Sequence, residues 1–297
     1  MMDFIIEANQ LCKSYGGRAA LHGLDMQVPT GSIFGFLGRN GAGKTTTIKT
    51  LMGLLRSDSG SAHVFGQAVG DGDRSAEIRR RIGFVTEDKE LYPYMTVEQI
   101  IRFTRSFFPH WRHDLEKRYM DMFALPPRRN ITQLSKGMRS KLMLLLAMSR
   151  GAELLILDEP TDGLDPAAIE DILREIVAMA ASTETTIFFS SHQLSEVEHI
   201  ADHIGIIDGG KMIAAGCLDD MKASYRRIEV VLPDAAEIPA RWAEGVQTVK
   251  TDGRLISLLA SHNAEEIAEQ ARSIGGTTVE SFPVTLKEIF LEQVRYN

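Results

Sequence analysis

The fold is decided by the stretch Gly38-Arg39-Asn40-Gly41-Ala42-Gly43-Lys44-Thr45, which fits the pattern G-x-x-x-x-G-K-[ST]. The apolar residues 33–37 before it predict a buried strand, and the apolar spacing after it predicts a helix over residues 45–55. In that setting the glycines let backbone N–H groups converge on phosphate oxygens at the positive end of a helix. We expect Lys44 to reach the β- and γ-phosphates of a nucleotide and Thr45 to bind Mg²⁺.

Two carboxylates follow a second apolar run. Residues 154–157 predict a buried strand, and Asp158 and Glu159 come directly after it. Ligands in open α/β sheets bind at the carboxyl ends of strands. Because acidic strand ends are common, the pair gains its weight from the phosphate-binding loop upstream. We expect Asp158 to hold Mg²⁺ through water and Glu159 to polarise the attacking water as general base.

The other apolar runs place these motifs in an α/β core. Further strands are predicted over residues 60–65, 186–189 and 204–208, and further helices over residues 140–149, 167–181 and 194–201. Strands that alternate with helices imply parallel crossovers. Residues 97–125 also have a helical pattern, which Pro126-Pro127 ends.

The composition is that of a globular protein. The 297 residues are 44% hydrophobic and 25% charged, and their number suggests two domains. The net charge is −7, so we expect no general attraction to nucleic acid or anionic lipid. Cys12 and Cys217 have no partner spacing and suggest a reducing compartment. We expect no signal peptide, and the longest apolar run, residues 142–148, is too short to cross a membrane.

The pattern changes near Cys217. A strand over residues 228–232, a hairpin around Asp252-Gly253 and helices over residues 263–274 and 285–294 predict a small α+β module. The module carries no catalytic constellation. Two roles remain open for it: a stabilising or dimer-supporting appendage, or a ligand sensor.

The order of further motifs resembles the ATPase subunit of an ABC transporter. Leu134-Ser135-Lys136-Gly137-Met138 is similar to the LSGGQ signature of that family, Asp162-Gly163-Leu164-Asp165 resembles its D-loop, and His192 resembles its switch histidine. Tyr15 lies where the family carries an aromatic residue that stacks on adenine. The resemblance covers residues 3–216, and residues 284–292 are similar to the tail of single-cassette, ABC-2-type bacterial export ATPases.

This resemblance implies a P-loop NTPase fold and a division of the chain. We expect an ABC ATPase domain over residues 1–216, with a helical subdomain at about residues 88–150, and an accessory α+β domain over residues 217–297. Two such ATPase domains would form a head-to-tail dimer around two ATP molecules. The loop of one subunit and the signature of the other would then share each nucleotide. The second subunit is either an identical or a homologous chain.

The resemblance also assigns roles to individual residues. The catalytic residues are expected to be Lys44, Glu159 and His192, with His192 on the γ-phosphate. The residues expected to bind ATP are Tyr15, Gly38, Asn40, Gly41, Ala42, Gly43, Lys44, Thr45, Thr46, Ser135, Gly137 and Asp165. The residues expected to bind Mg²⁺ are Thr45, Glu87 and Asp158.

Two departures from the family pattern affect these expectations. Glu87 stands where the family has the Q-loop glutamine, and we expect it to act through the metal, since a carboxylate would repel an unshielded phosphate. Lys136 and Met138 replace the usual glycine and glutamine of the signature. Lys136 either adds positive charge near phosphate or lies in solvent. Ser135 and Gly137 are retained, so hydrolysis is expected to survive.

The expected function is that of an energy-coupling ATPase. ATP binding would close the dimer, and hydrolysis would drive movement of a substrate, in the direction of export, through a separate membrane permease. The chain would then be cytoplasmic and peripheral on the inner face of the cell membrane. Aromatic residues between Tyr92 and Trp111 would supply part of the permease-binding surface. The alternatives are a soluble ABC ATPase acting in translation or on DNA or RNA, and a nucleotide-regulated binding protein with little turnover. The presence of Glu159 argues against the last.

Overall fold

The computed structural model describes residues 3–70, 72–86, 91–233, 239 and 241–295. The chain divides into two compact units, Met1–Ala215 and Gly216–Asn297. Among the described residues, no helix combines the length and the apolar character that crossing a membrane requires.

The first unit contains most of the helices and strands. In chain order, its elements are β1 (Phe4–Tyr15), β2 (Arg18–Pro29), β3 (Ile33–Gly38), α1 (Lys44–Leu51), β4 (Ser59–Val64), β5 (Gln67–Ala68), α2 (Asp73–Arg80), β6 (Ile82–Val85), α3 (Val97–Arg105), α4 (His113–Met122), α5 (Lys136–Met148), β7 (Leu154–Asp158), α6 (Pro166–Thr183), β8 (Thr186–Ser191), α7 (Leu194–Ile200), β9 (His203–Asp208) and β10 (Lys211–Cys217).

A six-stranded sheet in the order β10-β9-β3-β8-β7-β6 forms the centre of this unit. β3 pairs in parallel with β8 and β9, and β7 pairs in parallel with β6 and β8. All residues of β3, β7 and β8 are buried, which explains why these strands appear in the sequence as continuous apolar runs. The predicted α/β core with parallel crossovers is therefore confirmed.

A second, antiparallel sheet in the order β2-β1-β4-β5 lies at the amino-terminal end of the unit. Its β1–β2 hairpin turns at Gly16 and Gly17, where φ is 54° and 84°. The buried side chains of this sheet form one core cluster with Ile48 of α1 and Phe36 of β3. This packing fixes α1, and with it the phosphate-binding loop, between the two sheets.

Two helical regions differ from the sequence prediction. The segment predicted as helical over residues 97–125 is two helices, α3 and α4. Pro109 lies between them and cannot donate a backbone hydrogen bond. α5 begins at Lys136, before the predicted residue 140, because Ser135 caps it by accepting a hydrogen bond from the Met138 N–H at 3.2 Å.

The second unit is an α+β module, as predicted. Its elements are α8 (Leu218–Ser224), β11 (Arg226–Val231), β12 (Val246–Asp252), β13 (Leu255–Ala260), α9 (Ala264–Ser273), β14 (Thr278–Pro283) and α10 (Leu286–Arg295). The strands form one antiparallel sheet in the order β12-β13-β11-β14. Ile267 and Ala271 of α9 pack on Ile228 and Leu258 of this sheet, so the module has a core of its own.

Candidate active site

The carboxyl ends of three neighbouring strands meet at one edge of the central sheet. The register aligns Leu37 of β3 with Ser191 of β8, and Asp158 of β7 with Ser190 of β8. The loops that leave these strands therefore begin side by side, although they are far apart in the sequence. This is the edge at which parallel α/β sheets bind ligands.

The loop after β3 folds tightly under α1. Gly43 has φ of 113°, and a Cβ there would lie 2.8 Å from the Ala20 carbonyl oxygen. A Cβ on Gly38 would lie 2.6 Å from the Ile207 carbonyl oxygen. Both glycines are therefore required by close backbone approach. The buried Lys44 ammonium folds back and donates a hydrogen bond to the Gly38 carbonyl at 2.8 Å.

A cleft of about 470 Å³ opens above this loop. Its lining combines loop backbone with polar side chains from the ends of β7 and β8. The lining residues are Ala20, Arg39, Asn40, Gly41, Gly43, Lys44, Thr45, Thr46, Glu159, Asp162 and His192. Gly38 and Ala42, which were also predicted to bind nucleotide, are buried beneath the cleft.

Thr45 and Asp158 lie together at the base of the cleft. The Thr45 hydroxyl donates to one Asp158 carboxylate oxygen at 3.0 Å, and the Ser190 hydroxyl donates to the other at 2.6 Å. Burial raises the pKa of Asp158, while these two hydrogen bonds oppose the shift. Mg²⁺ prefers oxygen ligands and usually binds one or two protein groups together with phosphate oxygens and water. One hydroxyl and one carboxylate match this preference. The two residues therefore fit the predicted metal.

Glu159 and His192 form the upper part of the cleft. The Glu159 carboxylate lies 2.8 Å from His192 Nδ1, 3.3 Å from the His192 backbone N–H and 3.4 Å from Lys44 Nζ. Glu159 is buried and His192 is half-exposed. The Glu159 backbone has φ of 49° and donates to the Ser190 hydroxyl at 3.1 Å. Non-glycine residues in this strained region often occur at functional sites.

Besides Gly38 and Ala42, four predicted nucleotide-binding residues are absent from the lining of this cleft. Ser135 and Gly137 lie at the start of α5, and Asp165 caps α6 by accepting from the Ala168 N–H at 3.0 Å. This hydrogen bond lowers the pKa of Asp165. Tyr15 ends β1 with its ring half-exposed. Glu87, predicted as a metal ligand, lies outside the described residues.

The start of α5 lies against the loop that follows Glu159. Lys136 Nζ is 2.7 Å from Asp162 Oδ2, and the Ser140 hydroxyl donates to the Asp162 carbonyl at 3.2 Å. A Cβ on Gly163 would lie 2.8 Å from Lys136 Cδ, so the lysine stem crosses this glycine. Lys136 is thus about two-thirds exposed, and its ammonium is paired with Asp162, which lines the cleft.

Three residues of the site were not among those predicted from the sequence. Arg39 and Asp162 line the cleft, and Ser190 holds both Asp158 and the Glu159 backbone. Arg39 belongs to the phosphate-binding loop and Asp162 to the segment that resembles the D-loop, so their positions in the sequence were a signal for both. Ser190 gave no signal of its own, because its role depends on the pairing of β7 with β8.

The fold and the cleft together define a P-loop NTPase, and comparisons with known proteins narrow the class. The family model described as "ABC transporter" matches residues 21–162. The chain is 37% identical over 236 residues to the bacitracin transport ATP-binding protein BcrA of Bacillus licheniformis, across 78% of this chain and 76% of that protein. It is 35% identical to the daunorubicin resistance ATP-binding protein DrrA3 of Streptomyces coeruleorubidus, across 99% and 95%.

A solved structure agrees with these relatives. The ATP-binding subunit of an ABC transporter superposes with a TM-score of 0.67 and 29% sequence identity, covering 74% of this chain and 92% of that one. The chain therefore belongs to the ATP-binding proteins of ABC transporters, which are ATPases.

Proposed function

We propose that this chain is the ATP-hydrolysing subunit of an exporter. Two copies would bind head to tail around two ATP molecules and drive a separate membrane permease. One observation carries the proposal: Lys44, Thr45, Asp158, Glu159 and His192 converge on one cleft, whereas the signature residues lie outside its lining. A site completed by a second subunit accounts for this separation.

Binding of ATP is assigned to the loop and its lysine. The backbone N–H groups at the start of α1 and the Lys44 ammonium would bind the phosphates. Mg²⁺, when bound, neutralises phosphate charge, and Thr45 and Asp158 would hold it. Lys44 must exchange the Gly38 carbonyl and the Glu159 carboxylate for phosphate oxygens, which frees Glu159.

Hydrolysis is assigned to Glu159 and His192. Once Lys44 has moved, the Glu159 carboxylate can accept a proton from water. His192, at 2.8 Å, would orient this carboxylate and approach the γ-phosphate. The burial of Glu159 excludes bulk water from its side chain, so a single ordered water can be the nucleophile.

The second subunit would supply Ser135 and Gly137 to the nucleotide. The chain carries both the cleft and the signature, so two identical copies provide two complete sites. Ser135 offers a hydroxyl, and the start of the 13-residue helix α5 offers free backbone N–H groups to a phosphate. Asp165 and Tyr15 would lie at the edges of the same composite site.

Permease binding is assigned to an aromatic groove beside α3. Tyr92, Tyr94, Phe103 and Phe107 form a chain of ring contacts with centroids 5.0–5.9 Å apart, and all four are exposed. The adjoining groove has a volume of about 540 Å³. Trp111, at the end of the same set, is buried and donates to Glu116, so it belongs to the part of the set that lies in the core. Contiguous exposed aromatic surface is typical of a protein interface.

The direction of transport is argued from the relatives. One of them is named for bacitracin transport and another for daunorubicin resistance, and export is the direction in which a transporter gives resistance to a compound. The chain would therefore lie on the inner face of the membrane, held there by its permease. No nucleic acid is expected among its partners.

Affinity purification from detergent extracts tests this proposal. Full-length chain should retain a membrane protein, and Tyr94→Ser with Phe107→Ser should lose it while keeping ATP binding. Val249→Ser, which also removes an exposed apolar side chain, is the control and should retain the membrane protein. Recovery of ribosomes or DNA in place of a membrane protein would contradict the transporter assignment.

A further inference from the structure

A buried glutamate that was not predicted as a site residue lies between the loop that carries Glu159 and the loop that carries His192. Glu196 is in the first turn of α7 and is 5% exposed. One carboxylate oxygen, Oε2, accepts hydrogen bonds from the Thr161 hydroxyl at 2.9 Å and the Ser191 hydroxyl at 3.0 Å. A single atom of α7 therefore connects segments that come from two different strands.

The two hydroxyls stand next to the catalytic residues. Thr161 is two residues after Glu159, and Ser191 directly precedes His192. The parallel ladder between β7 and β8 ends at the pair Asp158 and Ser190. Beyond that ladder, the shared Glu196 oxygen holds the two loops at a fixed separation.

The position is an unfavourable one for a carboxylate. Among the described residues, the other carboxylate oxygen, Oε1, has no hydrogen-bond partner. Burial raises the pKa of Glu196, as does the negative charge of Glu159, whereas its two hydrogen bonds and His192 act in the opposite direction. A buried polar atom without a partner costs stability, so packing does not explain a glutamate here.

We propose that Glu196 is a positioning residue that sets the Glu159–His192 contact by tying the Thr161 loop to the Ser191 loop. The proposal rests on the proposed roles of Glu159 and His192. Glu196 is absent from the lining of the cleft, so it acts through these loops and not on the nucleotide. It should therefore influence kcat more than the binding of ATP.

The test compares Glu196→Ala with Glu196→Gln in the full-length chain. Alanine removes the tie, and a misplacement of catalytic groups by about 1 Å can lower turnover roughly 100-fold. We expect Glu196→Ala to lower kcat about 10- to 100-fold, with KM for ATP changed less than about 3-fold. Glutamine keeps an oxygen for both hydroxyls, so Glu196→Gln should restore kcat to within about 3-fold of the parent chain.

A second buried glutamate provides the matched control. Glu175 of α6 is 7% exposed and binds Arg118 at 2.5 Å, away from the cleft. Glu175→Ala should lower Tm and leave kcat per bound nucleotide unchanged, with bound nucleotide measured by a fluorescent ATP analogue. A parent-like kcat per bound nucleotide in Glu196→Ala, or equal losses in Glu196→Gln and Glu196→Ala, would overturn the proposal.

Two further variants keep the proposal testable if Glu196→Ala does not fold. Thr161→Val and Ser191→Ala each remove one donor to Glu196 and should each lower kcat without raising KM. Parent-like kcat in both would overturn the proposal. Glu159→Gln distinguishes failure of this proposal from failure of the proposed function. If Glu159→Gln loses turnover while Glu196→Ala keeps a parent-like kcat, only the positioning role is contradicted. If Glu159→Gln keeps its turnover, the assignment of Glu159 as catalytic base is contradicted.

Discussion

Glu159 combines backbone strain with a carboxylate that is already bound on two sides. Its φ of 49° costs about 1–3 kcal/mol, and Ser190 holds the strained peptide through its hydroxyl. Lys44 and His192 lie on either side of the carboxylate, at 3.4 Å and 2.8 Å. Lys44, which would bind phosphate, therefore pairs with the proposed base Glu159 until a nucleotide binds and draws the lysine to its phosphates.

The burial of Glu196 predicts a pH dependence of stability. Because its pKa is raised in the folded chain, ionisation of this carboxyl opposes folding. The resulting stability is fully present below the ordinary pKa of 4.5 and is lost as the pH rises through the folded-state value. The parent chain should therefore gain stability relative to Glu196→Gln as the pH falls from about 8 to about 4.5.

Urea unfolding of both chains across this pH range measures the difference. Both chains carry Glu159 and His192 beside residue 196, so the only ionisable group that the substitution removes is the Glu196 carboxyl. The prediction is contradicted if the difference in free energy of unfolding between the two chains stays constant with pH, or if acidification favours Glu196→Gln. Either result would show that the charge of Glu196 does not destabilise the folded chain.

At the residue scale, the sequence could indicate a site where neighbours in the chain are also neighbours in space. Lys44, Thr45, Asp158 and Glu159 belong to local motifs, and the strand before each motif already indicated the edge of the sheet. Glu196 and Ser190 could not be found this way, because they bind residues that are distant in the sequence. Only the β7–β8 pairing brings those partners together.

At the scale of elements, α5 and the loop after β7 are joined by an exposed ion pair. Lys136 and Asp162 are 66% and 38% exposed, and the pair is 2.7 Å long. The two expectations for Lys136, charge near phosphate or a place in solvent, stay open, and the structure adds that its ammonium pairs with Asp162.

A double-mutant cycle measures this pair. Lys136→Ala and Asp162→Ala should each lower the free energy of unfolding by less than about 1 kcal/mol, with a coupling of about 0.2–1 kcal/mol that weakens at high salt. Strictly additive effects at low salt would show that the ion pair does not form in solution.

The helix α3, which carries Phe103 of the exposed aromatic set, begins with a capping box. The Thr96 hydroxyl accepts from the Gln99 N–H at 3.3 Å, and the Gln99 side chain accepts from the Thr96 N–H at 2.8 Å. Thr96→Ala should lower the free energy of unfolding by about 0.5–2 kcal/mol. Because α3 carries Phe103, the same change should weaken permease binding.

Thermal unfolding and the detergent pull-down measure these two effects of Thr96→Ala. Thr50→Ala, in α1 away from the groove, is a control for general destabilisation. If Thr96→Ala recovers as much permease as the parent chain does, the expected effect of the cap on permease binding is contradicted.

Helix boundaries show what the element scale adds to the sequence. The apolar spacing over residues 97–125 indicated helix correctly, but the Phe108-Pro109 break decides that there are two. The start of α5 depends on the Ser135 cap, which the apolar pattern of residues 140–149 does not reveal. Hydrophobic periodicity predicts where a helix packs, whereas caps and prolines determine where it begins and ends.

At the scale of the whole molecule, the residues proposed to bind ATP lie in two separate places. The cleft carries the loop, the acidic pair and His192, and the start of α5 carries Ser135 and Gly137. Two copies related by a two-fold axis would join each cleft to the other copy's signature. Dimer formation should then depend on ATP and persist when hydrolysis is blocked.

The mass of Glu159→Gln in solution, with and without Mg²⁺ and ATP, tests this claim most directly. One chain has a mass of 32.9 kDa. Light scattering should give one chain without nucleotide and about twice that mass with ATP, with one ATP retained per chain. Adding Gly137→Asp should abolish the ATP-dependent dimer while leaving nucleotide bound to the cleft. A mass of one chain at saturating ATP, or a dimer unaffected by Gly137→Asp, would contradict the composite site.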